Sequence, residues 1–391
     1  MATRNPMDNM KSTWRTWDHD QWKLPHKIFE HANVYHVELD REVPVHSKQD
    51  KVPYVSDWSL NLWVIVNAGI PLVLHQAFTS ATGYNLHPVI AFFYYYYASR
   101  WFTTRELRNL RELGHTHGFL DGDKHERDGV PDVGVSKALK SVLLAGLVRP
   151  VMTTWLTYHA NEAPASLNWN WLLVEVSLYG IILDFWFYWY HRLMHDVNGL
   201  WKFHRTHHLT KHPNPLLTIY ADSEQEFFDI AGIPIMTWLT MRLMGMPMGF
   251  YEWHVSQLYV LFAELAGHSG LRLHASPPNP LTWLMKIFDA ELVIEDHDLH
   301  HRQGWKKSHN YGKQTRVWDR VFGTCCPRIE STEANIDYEN PVSMPLLNYL
   351  PFENLSYRQN NFRGSLVWTS APVYKAQSPT RPNPQMGGAA Y

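Results

Sequence analysis

Residues 169–190 read WNWLLVEVSLYGIILDFWFYWY, and residues 191–195 continue as HRLMH. The first part has about the 20 residues that a helix needs to cross the hydrocarbon core of a bilayer. Its aromatic residues stand near both ends, where membrane interfaces favour them. In the second part, His191 and His195 are four residues apart and therefore share one face of a helix. The sequence thus predicts a membrane-spanning helix that presents two histidines at one end.

Other apolar blocks predict further helices. Three blocks of similar aromatic character occur at 61–78, 86–102 and 138–159. Two shorter blocks at 230–244 and 253–265 flank a Gly-Met-Pro-Met-Gly turn, which predicts a helical hairpin. The predicted fold class is all-α: an integral-membrane bundle of about four transmembrane helices plus a short hairpin, with a cytosolic helical cap over the histidines. The alternative is a soluble protein with buried helices, because polar residues such as Asn67 and Arg149 interrupt the blocks.

Loop charge predicts the orientation of the bundle. The connections at 79–85, 161–168 and 245–251 contain no Lys or Arg, whereas the N-terminal segment and the connection at 100–140 contain many. The positive-inside rule therefore predicts that both termini and all the histidines near the helix ends lie in the cytosol. Residues 1–56 are polar and lack the apolar core of a signal peptide, so we expect no cleavable leader.

Three histidine clusters follow in order and predict a metal site. They are His191 and His195; His204, His207 and His208; and His297, His300 and His301. Imidazole nitrogen suits Fe, Zn, Cu or Ni, and eight rings exceed the ligands of one ion, so two metals are expected. No cluster has the H-E-x-x-H form, which disfavours a zinc peptidase. The alternative is a chain that is simply rich in histidine, with 24 such residues.

Composition excludes other classes of protein. A net charge of −2 over 391 residues leaves no basic footprint for nucleic acid. The adjacent Cys325 and Cys326 cannot form a disulfide framework and are expected to be a reduced pair. The tail from Ser370 is rich in Ser, Pro, Gly and Ala, which predicts disorder. No dinucleotide-binding glycine motif and no H-P-G-G sequence of a fused cytochrome b5 occurs, so electrons for any redox reaction must come from a partner.

The order H-x3-H, H-x2-H-H, H-x2-H-H resembles the fatty acid hydroxylase / sterol desaturase superfamily of membrane-bound di-iron oxygenases. The resemblance covers about 169–324 and includes N-Y-G at 310–312 and W-D-R-V-F-G-T at 318–324. His268-Ser269-Gly270 is similar to the H-S-G element of sterol C-4 methyl oxidase-like members. The chain is then expected to divide into a cytosolic arm (1–56), transmembrane helices with a cytosolic loop (57–160), a hydroxylase-like catalytic domain (161–330) and a partly disordered extension (331–391).

The resemblance implies two Fe ions, O2 as cosubstrate, an endoplasmic reticulum membrane location and electrons from a donor such as cytochrome b5 and its reductase. It also adds His268 and His274 to the candidate ligands. The full expected set is His191, His195, His204, His207, His208, His268, His274, His297, His300 and His301. Two acids inside apolar segments, Asp184 and Glu264, lie on the faces of His191 and His268 and are expected to orient those rings; a structural hydrogen bond is the alternative. Glu226 and Asp229 are expected to be solvated loop acids.

Three functions compete on these residues. The first is hydroxylation of an unactivated C–H of a lipid, sterol or related hydrophobic substrate. The second is desaturation on the same scaffold, and the third is a non-catalytic membrane protein with structural zinc. Redox chemistry on O2 favours iron, because zinc has no accessible redox change. The aromatic runs at 92–97 and 185–190 are expected either to line a substrate tunnel or to face lipid.

Overall fold

The structure is a computed structural model that describes residues 10–122, 124–346 and 348. The described part is mostly helical, as predicted. Its helices are α1 Leu24–Ala32, α2 Asp57–Thr82, α3 Pro88–His117, α4 His125–Asp128, α5 Val135–Thr157, α6 Trp169–Asp196, α7 Asn198–His204, α8 Ser223–Phe227, α9 Ile233–Leu243, α10 Phe250–Gly267, α11 Thr282–Ile287, α12 Ile294–Arg302 and α13 Val317–Phe322. Its strands are β1 Val52–Val55 and β2 Ile336–Val342. The predicted disordered tail from Ser370 lies outside the described residues.

Three of the helices, α2, α5 and α6, are long and apolar enough to cross a membrane. Their outer faces expose large apolar side chains, including Val73, Trp155 and Leu173 at 66%, 87% and 64%. Such a surface fits lipid better than water. The chain therefore forms a helical membrane bundle.

The block at 86–102, predicted as a fourth span, forms the first part of α3. This helix of 30 residues contains four consecutive tyrosines at 94–97 and continues through charged residues to His117. Its apolar character is therefore lower than that of the other three spans. The last turn of α3 lies within the charged connection at 100–140, and there His115 accepts the main-chain N–H of Glu38.

The predicted hairpin is present as α9 and α10. Gly245 and Met248 in its turn adopt positive φ angles of 90° and 42°. Helix α6 packs against both arms of the hairpin, and α3 packs against α5 and α10. Trp63, Phe102 and Phe262 join α2, α3 and α10 in one buried aromatic cluster. Helix α10 is thus the central element, and its C-terminal end is one wall of the histidine site.

A short parallel sheet, not predicted, ties the N-terminal arm to the chain beyond the catalytic region. Strand β1 pairs with β2 in the register Val52↔Ile336. Further along the arm, Trp14 is buried and donates its indole N–H to the carbonyl of Val130. Periodicity did not reveal these contacts, because they join residues that are far apart in the sequence.

Candidate metal centre

Nine histidines converge at one end of the bundle, called here the histidine end. Helix α6 contributes His191 and His195 from its last turns, and His268 is the residue that caps α10. The remaining rings come from α7 with the following 3₁₀ turn (His204, His207, His208) and from α12 (His297, His300, His301). All nine side chains are buried.

The nine rings form two groups. In each group, one ring nitrogen of every member lies within 4.8 Å of the others. The five-histidine group is His191, His195, His204, His208 and His300; the four-histidine group is His207, His268, His297 and His301. The number of groups agrees with the two metals expected from the count of rings.

Facing nitrogens inside the groups have the arrangement that a cation requires. The Nε2 atoms of His191 and His204 are 3.0 Å apart. Each ring donates its Nδ1–H elsewhere, His191 to the carbonyl of Tyr311 and His204 to Oε1 of Gln225, at 2.9 and 2.8 Å. Both Nε2 atoms then carry lone pairs, which cannot hydrogen-bond to each other. Two nitrogen ligands about 2.1 Å from one ion at a right angle would be roughly 3.0 Å apart.

The same separation recurs in both groups. Nε2 of His300 lies 3.0 Å from Nε2 of His208, and Nε2 of His297 lies 3.0 Å from Nε2 of His268. His268 donates its Nδ1–H to the carbonyl of Glu264, and His300 donates to the carbonyl of His309. The residues present therefore fit metal ions in both groups.

Main-chain carbonyls hold most of the rings in place. His195 donates Nδ1–H to Trp305 at 2.8 Å, and His301 donates to Thr210 at 3.0 Å. With His191, His268 and His300, five rings are held by carbonyls and one, His204, by the amide of Gln225. Such outer partners fix the tautomer and orientation of a ligating imidazole. Sequence reasoning missed Gln225 because an isolated amide beside Glu226 carries no motif.

Burial keeps these histidines neutral. Desolvation by burial is the largest cause of the lowered pKa of those histidines in the two groups that follow α6 in the sequence. Neighbouring histidines lower the pKa further; the residues so affected are His204, His207, His208, His268, His297 and His300. The pKa of His301 is lowered to about 3, again mainly by burial. A neutral imidazole offers the lone pair that a metal needs, so the site is prepared for a cation at neutral pH.

Asp184 contacts main-chain donors and not a histidine ring. Its carboxylate accepts the main-chain N–H groups of Lys313, Gln314 and Thr315, and also the hydroxyl of Thr315. This segment begins two residues after Tyr311, whose carbonyl holds His191. The structure therefore gives Asp184 an indirect effect on His191, through the loop.

Asp319 holds the same loop from the other side. It accepts the N–H groups of Tyr311 and Gly312, both at 2.8 Å. These bonds connect the N-Y-G and W-D sequences, which are close in the structure as well as in the sequence. Two buried acids, Asp184 and Asp319, thus determine where the carbonyl of Tyr311 lies.

Glu264 also differs from its expected contact. Its carboxylate pairs with Arg149 at 3.0 Å and with Lys313 at 3.3 Å, whereas its main-chain carbonyl receives the proton of His268. The acid therefore belongs to a buried ion-pair network. Helical spacing puts Glu264 one turn before His268, but it does not distinguish the carboxylate from the main-chain carbonyl as the partner of the ring.

His274 lies in neither group. Its Nε2 is 3.4 Å from Oε1 of Glu291, and its main chain forms a bridge with Tyr54 of β1. Its six-residue spacing from His268 includes the Ser-Gly turn, which turns the chain away from the groups toward the small sheet. The structure therefore brings together nine of the ten expected ligands.

Glu226 and Asp229, expected to be solvated, are buried at 5% exposure each. Glu226 bonds to the hydroxyl of Ser141, and Asp229 accepts the amide N–H of Gln225 at 3.2 Å. Asp229 lies in a π-helical turn, Phe228–Gly232, that joins α8 to α9. The turn places Asp229 behind Gln225, so both support His204.

Comparison with known proteins agrees with this geometry. The fatty acid hydroxylase family model matches residues 176–324, a range that contains all nine converging histidines. The chain is 43% identical over 321 residues to fatty acid hydroxylase vlmA of Lecanicillium sp, which covers 78% of this chain and 88% of that protein. No solved structure matches the chain.

More distant relatives are monooxygenases. Alkylglycerol monooxygenase of Xenopus tropicalis is 26% identical over 56% of this chain, which spans 44% of that protein. Methylsterol monooxygenase 2-1 of Arabidopsis thaliana is 28% identical over 40% of this chain and 57% of its own length. These relationships support an oxidoreductase that binds metal in a membrane. Because the chain is 43% identical to fatty acid hydroxylase vlmA over 88% of that protein, it belongs to the fatty acid hydroxylase family.

Proposed function

We propose that this protein is a membrane-bound di-iron oxygenase that hydroxylates an unactivated C–H of a lipid, sterol or related hydrophobic substrate. The observation that carries the proposal is the pair of buried histidine groups, in each of which Nε2 atoms of different rings lie 3.0 Å apart. One iron would be held by the five-histidine group and the other by the four-histidine group. Iron supplies the redox change that O2 activation needs and that zinc lacks.

The overall reaction consumes two electrons and two protons. One oxygen atom of O2 enters the C–H bond to form an alcohol, and the other leaves as water. The protein's own residues hold the ligand rings, exclude water by burial and position the substrate. The carbonyls of Tyr311, Trp305 and Thr210 retain the Nδ1 protons of their histidine partners and keep each Nε2 directed into its group.

An apolar cavity offers a place for a hydrophobic substrate. It lies between α3, α5 and α10, with α1 at one side. Along α10 it extends from Phe250 to Leu265, roughly 22 Å at 1.5 Å per residue. Its end at Leu265 lies one helical turn before His268. A long apolar molecule in this cavity would therefore reach the neighbourhood of the four-histidine group.

The opposite end of the cavity contains polar atoms. Nε2 of His254 and Oγ1 of Thr154 are buried and have no hydrogen-bond partner among the described residues. Because a buried polar atom without a partner costs free energy, a bound molecule that hydrogen-bonds there would be favoured. The proposed substrate is thus an elongated apolar molecule with a polar group at the end remote from His268.

In this proposal the protein resides in the endoplasmic reticulum membrane with both termini and the histidine end in the cytosol. The charge of the connecting loops supports that orientation. Cytochrome b5 and its reductase would supply the electrons.

Product analysis with ¹⁸O-labelled O2 tests the proposal. Membranes containing the protein should form a product that carries one labelled oxygen. A product that has lost two hydrogens without gaining oxygen would instead support a desaturase. Zinc without iron in the purified protein would support the alternative of a non-catalytic protein with structural zinc.

Substitutions in each group test the metal assignment. His207→Ala and His300→Ala remove one ligand from each group and should abolish turnover while the protein remains inserted in the membrane. His274→Ala is a matched control, because this ring is equally buried but lies in neither group. Full activity in either ligand variant would refute the site.

A further inference from the structure

An exposed tryptophan, Trp305, lies on the protein surface next to the five-histidine group. Trp305 follows α12, and its main-chain carbonyl accepts the Nδ1–H of His195 at 2.8 Å. Its side chain is 37% exposed, although large aromatic rings are usually buried. The ring therefore connects the protein surface to the immediate surroundings of a candidate ligand.

Trp201 fills the space between this ring and the histidines. The centroids of the Trp305 and Trp201 rings are 5.1 Å apart. Trp201 is buried at 9% exposure, and its ring centroid lies 5.2 Å from that of His195 and 5.6 Å from that of His208. Two successive aromatic contacts thus lead from the surface to the five-histidine group.

Positive charge surrounds the exposed ring. Lys211 Nζ lies 4.5 Å from the Trp305 ring centroid, and the Arg205 guanidinium lies 5.9 Å from it. Lys306 and Lys307 are the next residues in the chain and are both exposed. Lys306 bonds to the side chain of Asn198, one helical turn before the exposed Lys202 on α7. These five cations and Trp305 are called here the Trp305 patch.

Neighbouring acids do not neutralise the four lysines of the patch. Asp196 pairs with Arg192, Asp222 with Lys137, and Asp298 with Arg302. Among the described residues, no carboxylate forms an ion pair with Lys202, Lys211, Lys306 or Lys307. The patch is therefore a concentrated positive surface, on a chain whose net charge is −2.

We propose that the Trp305 patch is the docking surface for an acidic one-electron donor protein, and that electrons enter the five-histidine group through Trp305 and Trp201. The proposal rests on the oxygenase function proposed above. Each turnover needs two electrons, so the donor docks twice per turnover and is oxidised by one electron each time. O2 is the final acceptor, reduced with two protons and the substrate C–H bond to an alcohol and water.

The chemistry of the surface explains the choice of partner. Opposite charge raises the encounter rate of two proteins by factors of about 10 to 1,000 and weakens with salt. A transient donor needs fast association and fast release, which a charged rim provides better than a large apolar interface. An exposed aromatic ring at the centre of such a rim is a suitable contact for the donor's redox group.

The test uses the purified, iron-loaded full-length protein in nanodiscs of zwitterionic phospholipid. The probe donor is the soluble haem domain of cytochrome b5, and sodium dithionite is a chemical reductant that bypasses docking. Lys306→Glu with Lys307→Glu reverses two charges of the patch. Lys23→Glu, just before α1, with Lys27→Glu on α1 is the matched control, because both lysines are exposed and lie outside the patch.

The patch variant should raise the KM for the donor by about tenfold or more, and the salt dependence of the rate should become shallower. Its single turnover with dithionite should equal that of the wild type. Equal donor KM in the patch and control variants would overturn the proposal. So would a change confined to association with anionic vesicles, which would make the patch a lipid-binding surface.

Substitution of the aromatic ring separates docking from electron transfer. Trp305→Leu should lower the maximal donor-driven rate by a larger factor than it raises the donor KM, because it removes the aromatic path and leaves the surrounding lysines and the carbonyl that holds His195 in place. Trp305→Phe should restore part of that rate. A wild-type protein that forms no oxygenated product with dithionite would contradict the oxygenase function itself, independently of the patch.

Discussion

Replacing Asp184 by asparagine removes the negative charge that holds residues 313–315 against α6. The carboxylate accepts four donors at 2.5 to 3.0 Å, three main-chain N–H groups and one hydroxyl, and it is fully buried. An amide is neutral and has one oxygen, so all four donors lose a charged acceptor and at least one loses its acceptor altogether. A hydrogen bond to a charged group contributes about 1.5–3 kcal/mol and a neutral one about 0.5–1.5 kcal/mol, so the expected loss over the four donors is about 3–6 kcal/mol.

Thermal unfolding in detergent measures this loss. A domain of this size loses about 2–4 °C in Tm per kcal/mol, so Asp184→Asn should unfold at least about 6 °C below the wild type at one scan rate. The carbonyl of Tyr311 should also move and loosen His191. Outer partners of metal ligands typically contribute 10- to 100-fold in affinity, so iron retention during dialysis against a chelator should fall by roughly that factor.

Asp196→Asn is the control on the same helix. This carboxylate is 54% exposed and forms only an i,i+4 ion pair with Arg192, so its loss should cost less than about 1 kcal/mol. If Asp184→Asn had the same Tm and iron retention as Asp196→Asn, the argument that Asp184 supports His191 through the loop would be wrong.

Three further predictions concern individual histidines. His268→Ala should lower the iron content, measured by elemental analysis, whereas His274→Ala should leave it unchanged; equal contents would contradict the two-group assignment. The wild type should prefer substrates that carry a remote polar group over substrates without one, and His254→Phe should show a smaller preference when the two compete. An unchanged preference would exclude a polar contact at His254. The metal-free protein should become less stable as the pH falls below about 6.5. Histidines of the unfolded chain bind protons in that range, whereas buried rings of the folded protein, such as His301 with a pKa of about 3, stay neutral. Chemical denaturation at several pH values measures this loss, of about 1.4 kcal/mol per pH unit for each such ring, and a flat profile would refute it.

Local patterns predicted the parts of the molecule that depend on nearby residues. The apolar length of α6, the hairpin of α9 and α10, and the convergence of His191 with His195 follow from helical periodicity. The fourth span was less predictable, because α3 combines an aromatic half with a charged half. The division into four domains at 56, 160 and 330 remains a prediction.

The contacts of buried acids were not predictable from spacing. Asp184 lies on the face of His191, as the periodicity indicates, yet its partners are main-chain groups more than 120 residues away. Glu264 similarly binds Arg149 and Lys313. Which donor a buried carboxylate meets depends on how distant segments pack, and no pattern within one helix contains that information.

The sequence alone determined that histidines share faces: His204 with His208, and His297 with His301, are four residues apart. The tertiary structure decided which faces meet. His207 and His208 are adjacent, as are His300 and His301, yet each pair divides between the two groups. Successive side chains turn by about 100° in an α-helix and about 120° in a 3₁₀ turn, so neighbours in sequence point to different ions. Only the packing of α6, α10 and α12 brings His191, His268 and the remaining rings together into the five-histidine and four-histidine groups.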